Sequence, residues 1–262
     1  MTRTSAHAVS LTPLGGPTVL IGFAGHRFLV DPTFDPAGDY PVGSRVLTKT
    51  SDAIVSADEI GPVDAVLLSH DQHPDNLDRA GRVFAENAPL VLTTRLAAGR
   101  LRGRCRGLLP GERADVGSVT VTAVPAQHGP DGTEDKTGPV IGFVLEAPDA
   151  PTLYISGDNA SLDVVRAVAD RFPEIEIAIL FGGAARSPLV DGFLTLTSSE
   201  AVEAAAILGH PRVLAAHTDG WAHFTQDGSS FRAAFEEAGI GPLLLDTSPG
   251  VPVHLDRSVQ QG

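Results

Sequence analysis

Short runs of Val, Ile and Leu recur along the chain, and Gly, Pro or Asp residues bound most of them. Residues 19–23 and 28–30 are two such runs, and the segment between them contains Gly25, so the pattern predicts an antiparallel hairpin. Residues 65–68 form a continuous apolar run that polar residues follow at once, which is typical of a central strand buried on both faces. By the same criteria, later strands are predicted at residues 91–94, 119–124, 140–145, 153–156, 175–180, 213–216 and 243–245.

Three helices are predicted between the later strands. Ser161 caps the first, which carries apolar residues at helical spacing to about Arg171. Ser198 or Ser199 caps the second, and residues 229–238 form the third. The stretches 35–44 and 129–138, rich in Gly, Pro or Asp, are predicted as loops. Early strands therefore follow one another directly whereas later ones alternate with helices, which favours one α/β domain (α+β in its strand order) over residues 1–262, with a mixed sheet and helices outside.

Composition and charge narrow the function classes. The 262 residues are 42% hydrophobic, enough for a core, and 19 Lys and Arg against 32 Asp and Glu give a net charge of −13. Binding a phosphate backbone needs clustered cations, so no nucleic-acid partner is expected. Cys105 is the only cysteine, which excludes a disulfide framework and tetrathiolate metal sites and leaves nitrogen and oxygen ligands for any metal. Residues 1–11 show no signal-peptide pattern and no apolar run reaches about 18 residues, so a cytoplasmic protein without membrane contact is expected.

Side chains that can bind a metal follow four of the predicted strands. In chain order they are His70, Asp71, His73 and Asp75 after the first, His128 after the second, Asp158 after the third and His217 after the fourth. Strand ends in a layered sheet protein converge on one edge, and imidazoles with carboxylates at one point are what a divalent transition metal requires. Each residue also has a structural alternative: a single His after a strand is commonly hydrogen-bonded, and Asp158 suits a helix N-cap.

The same residues, with their flanking segments, resemble the metallo-β-lactamase superfamily, especially its branch of metal-dependent hydrolases and lactonases similar to ascorbate-phosphate lactonase. The resemblance covers nearly the whole chain, and its motifs lie at residues 14–21, 29–34, 70–76, 124–128, 155–158 and 216–224. It implies a four-layer αββα sandwich, in which two sheets pack face to face with helices outside.

The superfamily signature, His-x-His-x-Asp-His, is altered in two ways. If His73 and Asp75 match its second His and its Asp, the first ligand falls on Asp71; if His70 is that ligand, a one-residue insertion bulges the loop. Ser-His directly after the strand favours His70, with Asp71 as its competitor. In either alignment Asn76 replaces a histidine, and because an amide oxygen is a weaker ligand than an imidazole, a weakened second metal site is expected.

The resemblance also implies the chemistry. The first metal would be held by His70 or Asp71, His73 and His128, and the second by Asp75 and His217, with Asp158 bridging the two. One or two divalent ions, zinc first and manganese or iron as alternatives, would carry a hydroxide that cleaves an ester, lactone, amide or phosphodiester bond in a small molecule. Asp75 would be the catalytic residue that orients this nucleophile and handles its proton.

Three residues are candidates for substrate binding: Asn76, Trp221 and His223. Trp221 could equally well pack a core. Two other functions fit the same residues, namely a degenerate, non-catalytic metal-binding member of the fold and a di-iron redox member. The sequence leaves the oligomeric state open, including a homo-oligomer.

Overall fold

Two β-sheets pack face to face in the computed structural model, which describes residues 9–43 and 45–255. The strands are β1 (Val9–Pro13), β2 (Val19–Phe23), β3 (His26–Val30), β4 (Gly38–Val42), β5 (Arg45–Lys49), β6 (Ala65–Leu67), β7 (Val91–Thr94), β8 (Cys105–Leu108), β9 (Arg113–Val116), β10 (Val119–Ala126), β11 (Val140–Glu146), β12 (Thr152–Ile155), β13 (Ile175–Phe181), β14 (Arg212–Ala216) and β15 (Val253–Leu255). The first sheet has the order β15-β1-β2-β3-β6-β7-β8 and the second β14-β13-β12-β11-β10-β9, while β4 and β5 form a separate two-stranded sheet.

Helices cover the outer face of each sheet. They are α1 (Ala57–Ile60), α2 (Arg79–Asn87), α3 (Arg95–Arg100), α4 (Glu134–Thr137), α5 (Leu162–Arg171), α6 (Ser198–Ile207) and α7 (Gly228–Glu237), followed by a 3₁₀ turn at Gly241–Leu243. The central strand β6 shows how the layers form. Ala65 and Leu67 point into the core between the sheets, whereas Val66 packs outward with residues of α1, α2 and α3. The outer face of the second sheet packs in the same way against α5, α6 and α7. The predicted αββα sandwich is confirmed.

Most predicted strands are present, and the exceptions have physical reasons. No strand forms where one is predicted at residues 243–245: the 3₁₀ turn ends at Leu243, and Leu244 makes only a single bridge to Val213. Thr197, not Ser198 or Ser199, caps α6, because its side chain accepts from the Glu200 N–H in a capping box. The predicted loop 35–44 contains β4, and the first half of the chain carries α1, α2 and α3, which the sequence pattern did not reveal.

Strand direction brings one end of several strands to a common edge. In the second sheet β12, β13 and β14 are parallel, and β10 runs the same way because two antiparallel pairings separate it from β12. In the first sheet β3 and β6 are parallel. Their C-terminal ends therefore deliver the polar segments that follow them to the same side. None of the helices in the described part of the chain is long and apolar enough to cross a membrane.

Candidate metal centre

Three histidines meet where β6 and β10 end. His70 and His73 lie in the loop after β6, and His128 lies two residues after β10. One ring nitrogen of each lies within 4.8 Å of one from each of the others. The closest pair is His70 Nε2 and His73 Nδ1, which are 2.9 Å apart. This cluster offers three imidazole nitrogens to one point, which is the donor set of a transition-metal site.

Hydrogen bonds at the far side of two of these rings orient them. His70 Nδ1 lies 3.0 Å from Ser69 Oγ, and His128 Nδ1 lies 2.9 Å from the Leu194 carbonyl oxygen. A carbonyl can only accept, so the proton of His128 is on Nδ1 and the Nε2 lone pair is free; this Nε2 is buried without a hydrogen-bond partner. Burial lowers the pKa of His70 to about 3 and that of His73 to about 4, so both are neutral at neutral pH, the form that binds metal.

A second group of ligand atoms comes from Asp75, Asp158 and His217, all buried. His217 Nε2 lies 3.2 Å from Asp75 Oδ2 and 3.6 Å from Asp158 Oδ1. The other oxygen of Asp158, Oδ2, is 3.9 Å from His70 Nε2, so this carboxylate lies between the two groups. Burial raises the pKa of Asp75, but His223 and His217 outweigh this effect and hold it well below its usual range.

Several buried polar atoms in the two groups have no hydrogen-bond partner, which bears on whether these groups suit a metal. Among them are Asp75 Oδ1, Asp158 Oδ2 and His128 Nε2. Buried acceptors are costly unless something donates to them or a cation balances them, and these three belong to neighbouring side chains of the two groups. The donor set, nitrogen with carboxylate oxygen, therefore fits one or two divalent cations.

Asp71, the competing first ligand, lies outside both groups. Its carboxylate accepts from Arg100, with Nε at 2.9 Å from Oδ2 and Nη2 in contact with Oδ1, and Arg82 Nη2 is 3.4 Å from Oδ2. Burial disfavours its charge, yet the two guanidinium groups lower the pKa of Asp71. The structure thus brings His70, not Asp71, to His73 and His128, whereas Asp71 faces the two arginines.

Asn76 and Asp31 form a layer of hydrogen bonds behind the ligand atoms. Asn76 Nδ2 donates to Asp31 Oδ2 and to Asp158 Oδ1, each at 3.1 Å. Asp31 also accepts from the Ser69 N–H and hydroxyl, both at 2.7 Å. Because Asn76 is 0% exposed, this arrangement gives no support to its predicted contact with substrate. It acts instead as a link between Asp31 and Asp158.

Asp31 accepts hydrogen bonds from Ser69 and Asn76, a role that the sequence alone does not reveal. It follows β3 with φ of 37°, a left-handed conformation uncommon outside glycine, and burial raises its pKa to about 7. His217 shares this strain with φ of 58°. Strained residues persist where the surroundings over-determine them, often at functional sites. An acidic residue directly after a buried strand and before Pro32 is the signal available in the sequence.

Trp221 and His223 occupy different surroundings. Trp221 is 3% exposed, with its ring centroid 5.7 Å from that of Tyr40 and 5.9 Å from Lys49 Nζ, so it anchors the β4–β5 hairpin. Its ring lies 6.2 Å from that of His223, but Trp221 does not line the opening to the site. The predicted contact of Trp221 with substrate therefore gains no support. His223, in contrast, directs Nε2 to Asp75 Oδ2 at 3.1 Å, and its side chain keeps 15% exposure.

A narrow pocket opens onto these side chains. Its volume is about 20 Å³, room for roughly one water. It is lined by Arg45, Leu47, His73, Asp75, His128, Ala185, Arg186, Ser187, Leu194 and His223. In this conformation only the reacting group of a substrate fits beside the candidate ligands. The remainder of the substrate must lie outside the pocket or displace the side chains that line it.

Comparison with known proteins identifies the family. A family model described as a β-lactamase superfamily domain matches residues 26–218, more than half of the chain. The chain belongs to the metallo-β-lactamase superfamily. Its relatives include a UPF0173 metal-dependent hydrolase of Methanosphaerula palustris, 29% identical over 194 residues that cover 71% of this chain and 83% of the relative.

Solved structures of other proteins share the fold. Isothiocyanate hydrolase from Delia radicum gut bacteria gives a TM-score of 0.81 at 24% identity, covering 94% of this chain and 99% of that one. A metallo hydrolase from Ignicoccus hospitalis gives 0.71 at 17% identity, covering 95% and 98%. The solved structures confirm the fold, and the family match with the named relatives confirms the predicted superfamily and the enzyme class, a metal-dependent hydrolase. The lactonase branch stays a prediction.

Replacing Asp31 with Asn tests whether the hydrogen bonds of Asp31 and Asn76 position the candidate metal ligands. An amide nitrogen at this position would face the Ser69 or Asn76 donors, so the hydrogen bonds that orient His70 and Asp158 would weaken. We expect a 10- to 100-fold loss of metal affinity, as is typical for such supporting groups. Metal titration of the purified variant measures it. Asp115→Asn, an exposed carboxylate on the edge strand β9, is the control, and wild-type affinity in Asp31→Asn would contradict the positioning role.

Proposed function

We propose that this metal-dependent hydrolase cleaves an ester, lactone, amide or phosphodiester bond in a small molecule, and that zinc is its metal. One observation supports the proposal: two groups of three candidate ligands converge with Asp158 between them, and they are His70, His73 and His128 in one and Asp75, Asp158 and His217 in the other. Separate groups that share a central carboxylate suit two cations acting on one reacting centre.

The protein residues divide the remaining tasks. A bound divalent cation would supply Lewis acidity, polarising the scissile group and making water nucleophilic near neutral pH. Asp75, ionised because its pKa is held low, has Oδ1 free of hydrogen bonds and can accept one from the attacking water, which orients it. The small, partly apolar pocket around Leu47 and Leu194 limits the access of further water to the reacting group.

Two arginines at the mouth of the pocket favour electron-rich substrates. Arg45 donates from Nη1 to Ser187 Oγ at 2.8 Å, and Arg186 stacks on Phe193 with its guanidinium carbon 4.6 Å from the ring centroid. Both line the pocket of a chain whose net charge is −13. Their positive charge would stabilise an anionic substrate or the negative charge that develops on the attacked group. The same net charge argues against a nucleic-acid substrate.

The test combines metal analysis with a substrate panel. The protein is purified without chelator, its metal content is measured by mass spectrometry, and chromogenic esters, lactones, amides, phosphodiesters and isothiocyanates are supplied; the last are included because of the Delia radicum gut-bacterial enzyme. We expect bound zinc and a hydrolysis that a chelator abolishes and added zinc restores. A protein without metal or turnover would instead be the degenerate member, and bound iron with visible absorbance would indicate the redox member.

A further inference from the structure

The superfamily signature places an imidazole where this chain has Asn76, and the structure offers another imidazole nearby. We propose that His223 is a ligand of the second metal and takes the place of the missing histidine. The proposal rests on the proposed function, because it presupposes that Asp75, Asp158 and His217 bind a cation.

Asn76 is occupied elsewhere. Its amide nitrogen lies 3.1 Å from two carboxylate oxygens, one of Asp31 and one of Asp158, and carboxylates only accept, so the nitrogen rather than the oxygen faces Asp158. The remaining amide oxygen is buried without a partner. Asn76 therefore supports Asp158 through a hydrogen bond and offers the second group no nitrogen ligand, which leaves His217 as the one imidazole among its three side chains.

His223 reaches this group from the segment after β14. The Nε2 atom of His223 lies 3.1 Å from Asp75 Oδ2. His217 Nε2 lies 3.2 Å from the same oxygen. His217 Nε2 lies 3.6 Å from Asp158 Oδ1. Tetrahedral ligands about 2.0–2.2 Å from zinc are roughly 3.3–3.6 Å from one another. The distances from His217 to Asp75 and Asp158 are close to this spacing. His223 touches the group through Asp75 alone, so its ring must turn toward Asp158 and His217 to complete the set.

The surroundings of His223 also hold its ring in place. The ring meets Phe224 edge-on with centroids 4.6 Å apart and lies 6.2 Å from Trp221. The His223 carbonyl accepts from the Arg186 N–H at 3.0 Å, which ties the segment to the far wall of the pocket. Nδ1 has no hydrogen-bond partner, so the contact to Asp75 through Nε2 is the polar interaction that directs the ring.

Metal stoichiometry separates a ligand from a histidine that merely pairs with Asp75. Zinc is titrated into metal-free wild type, His223→Ala and His223→Gln with a competing chromogenic chelator. We expect about two equivalents in the wild type and about one in both variants, with the second affinity at least about 100-fold weaker. His210→Asn is the control, since this exposed histidine has φ of 63°, which Asn tolerates, and lies before β14, at the opposite end of that strand from His217.

A spectroscopic variant gives a direct readout of ligation. With cobalt in place of zinc, His223→Cys should show a thiolate-to-cobalt charge-transfer band in the near ultraviolet that the wild type, with Cys105 elsewhere, lacks. The inference is overturned if His223→Ala keeps two equivalents at wild-type affinity, or if the wild type binds only one ion and His223→Ala binds it equally well. A wild-type protein that binds no ion overturns the proposed function itself. Failure of the proposed function is thereby distinguished from failure of the role assigned to His223.

Discussion

Replacing His128 with Ala is expected to lower hydrolysis by roughly 10³-fold or more, because the first group would lose one of its three candidate ligands and would hold less firmly the cation that makes water nucleophilic. His128 is suited to this test. Its Nδ1–H is held by the Leu194 carbonyl, its Nε2 is buried without a partner, and it lies beside both His70 and His73. Metal content and turnover of a substrate found in the panel are measured together in the variant and the wild type.

The fold should survive this substitution. His128 lies after the end of β10 and contributes no strand pairing, so the circular dichroism spectrum of the variant should match that of the wild type. His210→Asn again serves as the control and should keep both metal and turnover. Wild-type metal content in His128→Ala would show that the ligand assignment around the first group is wrong.

Gly81→Ala should have the largest effect on stability. A Cβ at this position in α2 would lie 1.8 Å from the Pro32 carbonyl oxygen and 2.6 Å from its carbonyl carbon, and backbone atoms cannot rotate aside. We expect a loss of about 3 kcal/mol in the free energy of unfolding, from the overpacking that forces α2 away from the first sheet. Because Pro32 follows Asp31, a shift of Pro32 should also weaken the hydrogen bonds that Asp31 accepts from Ser69 and Asn76 beside the candidate metal centre. Urea unfolding of the metal-free protein measures the change.

Gly99→Ala is the matched comparison. Gly99 lies in α3 and is exposed, and a Cβ added to it would have no neighbouring atom within 4 Å. Alanine has the higher helix propensity, so this variant should gain about 0.5–1 kcal/mol. Equal effects of the two substitutions would show that the contact between α2 and Pro32 is looser than the structure has it.

The layered fold and most of the site were predictable because they depend on local patterns. Strands buried on both faces, such as β6, are continuous apolar runs, and the residues after them must emerge at a sheet edge. The helix α2 was missed because the residues it buries completely, Gly81 and Ala85, are small and leave little periodic signal. β4 was missed because Gly38, Asp39 and Pro41 are typical of loops, and only an isolated edge pairing tolerates them.

The choice between His70 and Asp71 could not be made from the sequence. It depends on Arg100, which lies 29 residues further along the chain and neutralises Asp71 on the outer side of the loop. The positioning role of Asp31 was equally hidden, because it arises from donors on Ser69 and Asn76 that only the fold brings to it. Such roles depend on pairings between distant segments, which single-residue patterns do not encode.

The β4–β5 hairpin lies over the pocket while belonging to neither main sheet. In the described part of the chain its strands pair with each other, and a single bridge joins Lys49 to Trp221. Arg45 and Leu47, which line the pocket, both come from β5. A new hairpin could therefore replace this one without disturbing any strand of the two sheets. We expect evolutionary divergence in the molecules that such enzymes accept to concentrate in this exchangeable segment, while the scaffold beneath it stays the same.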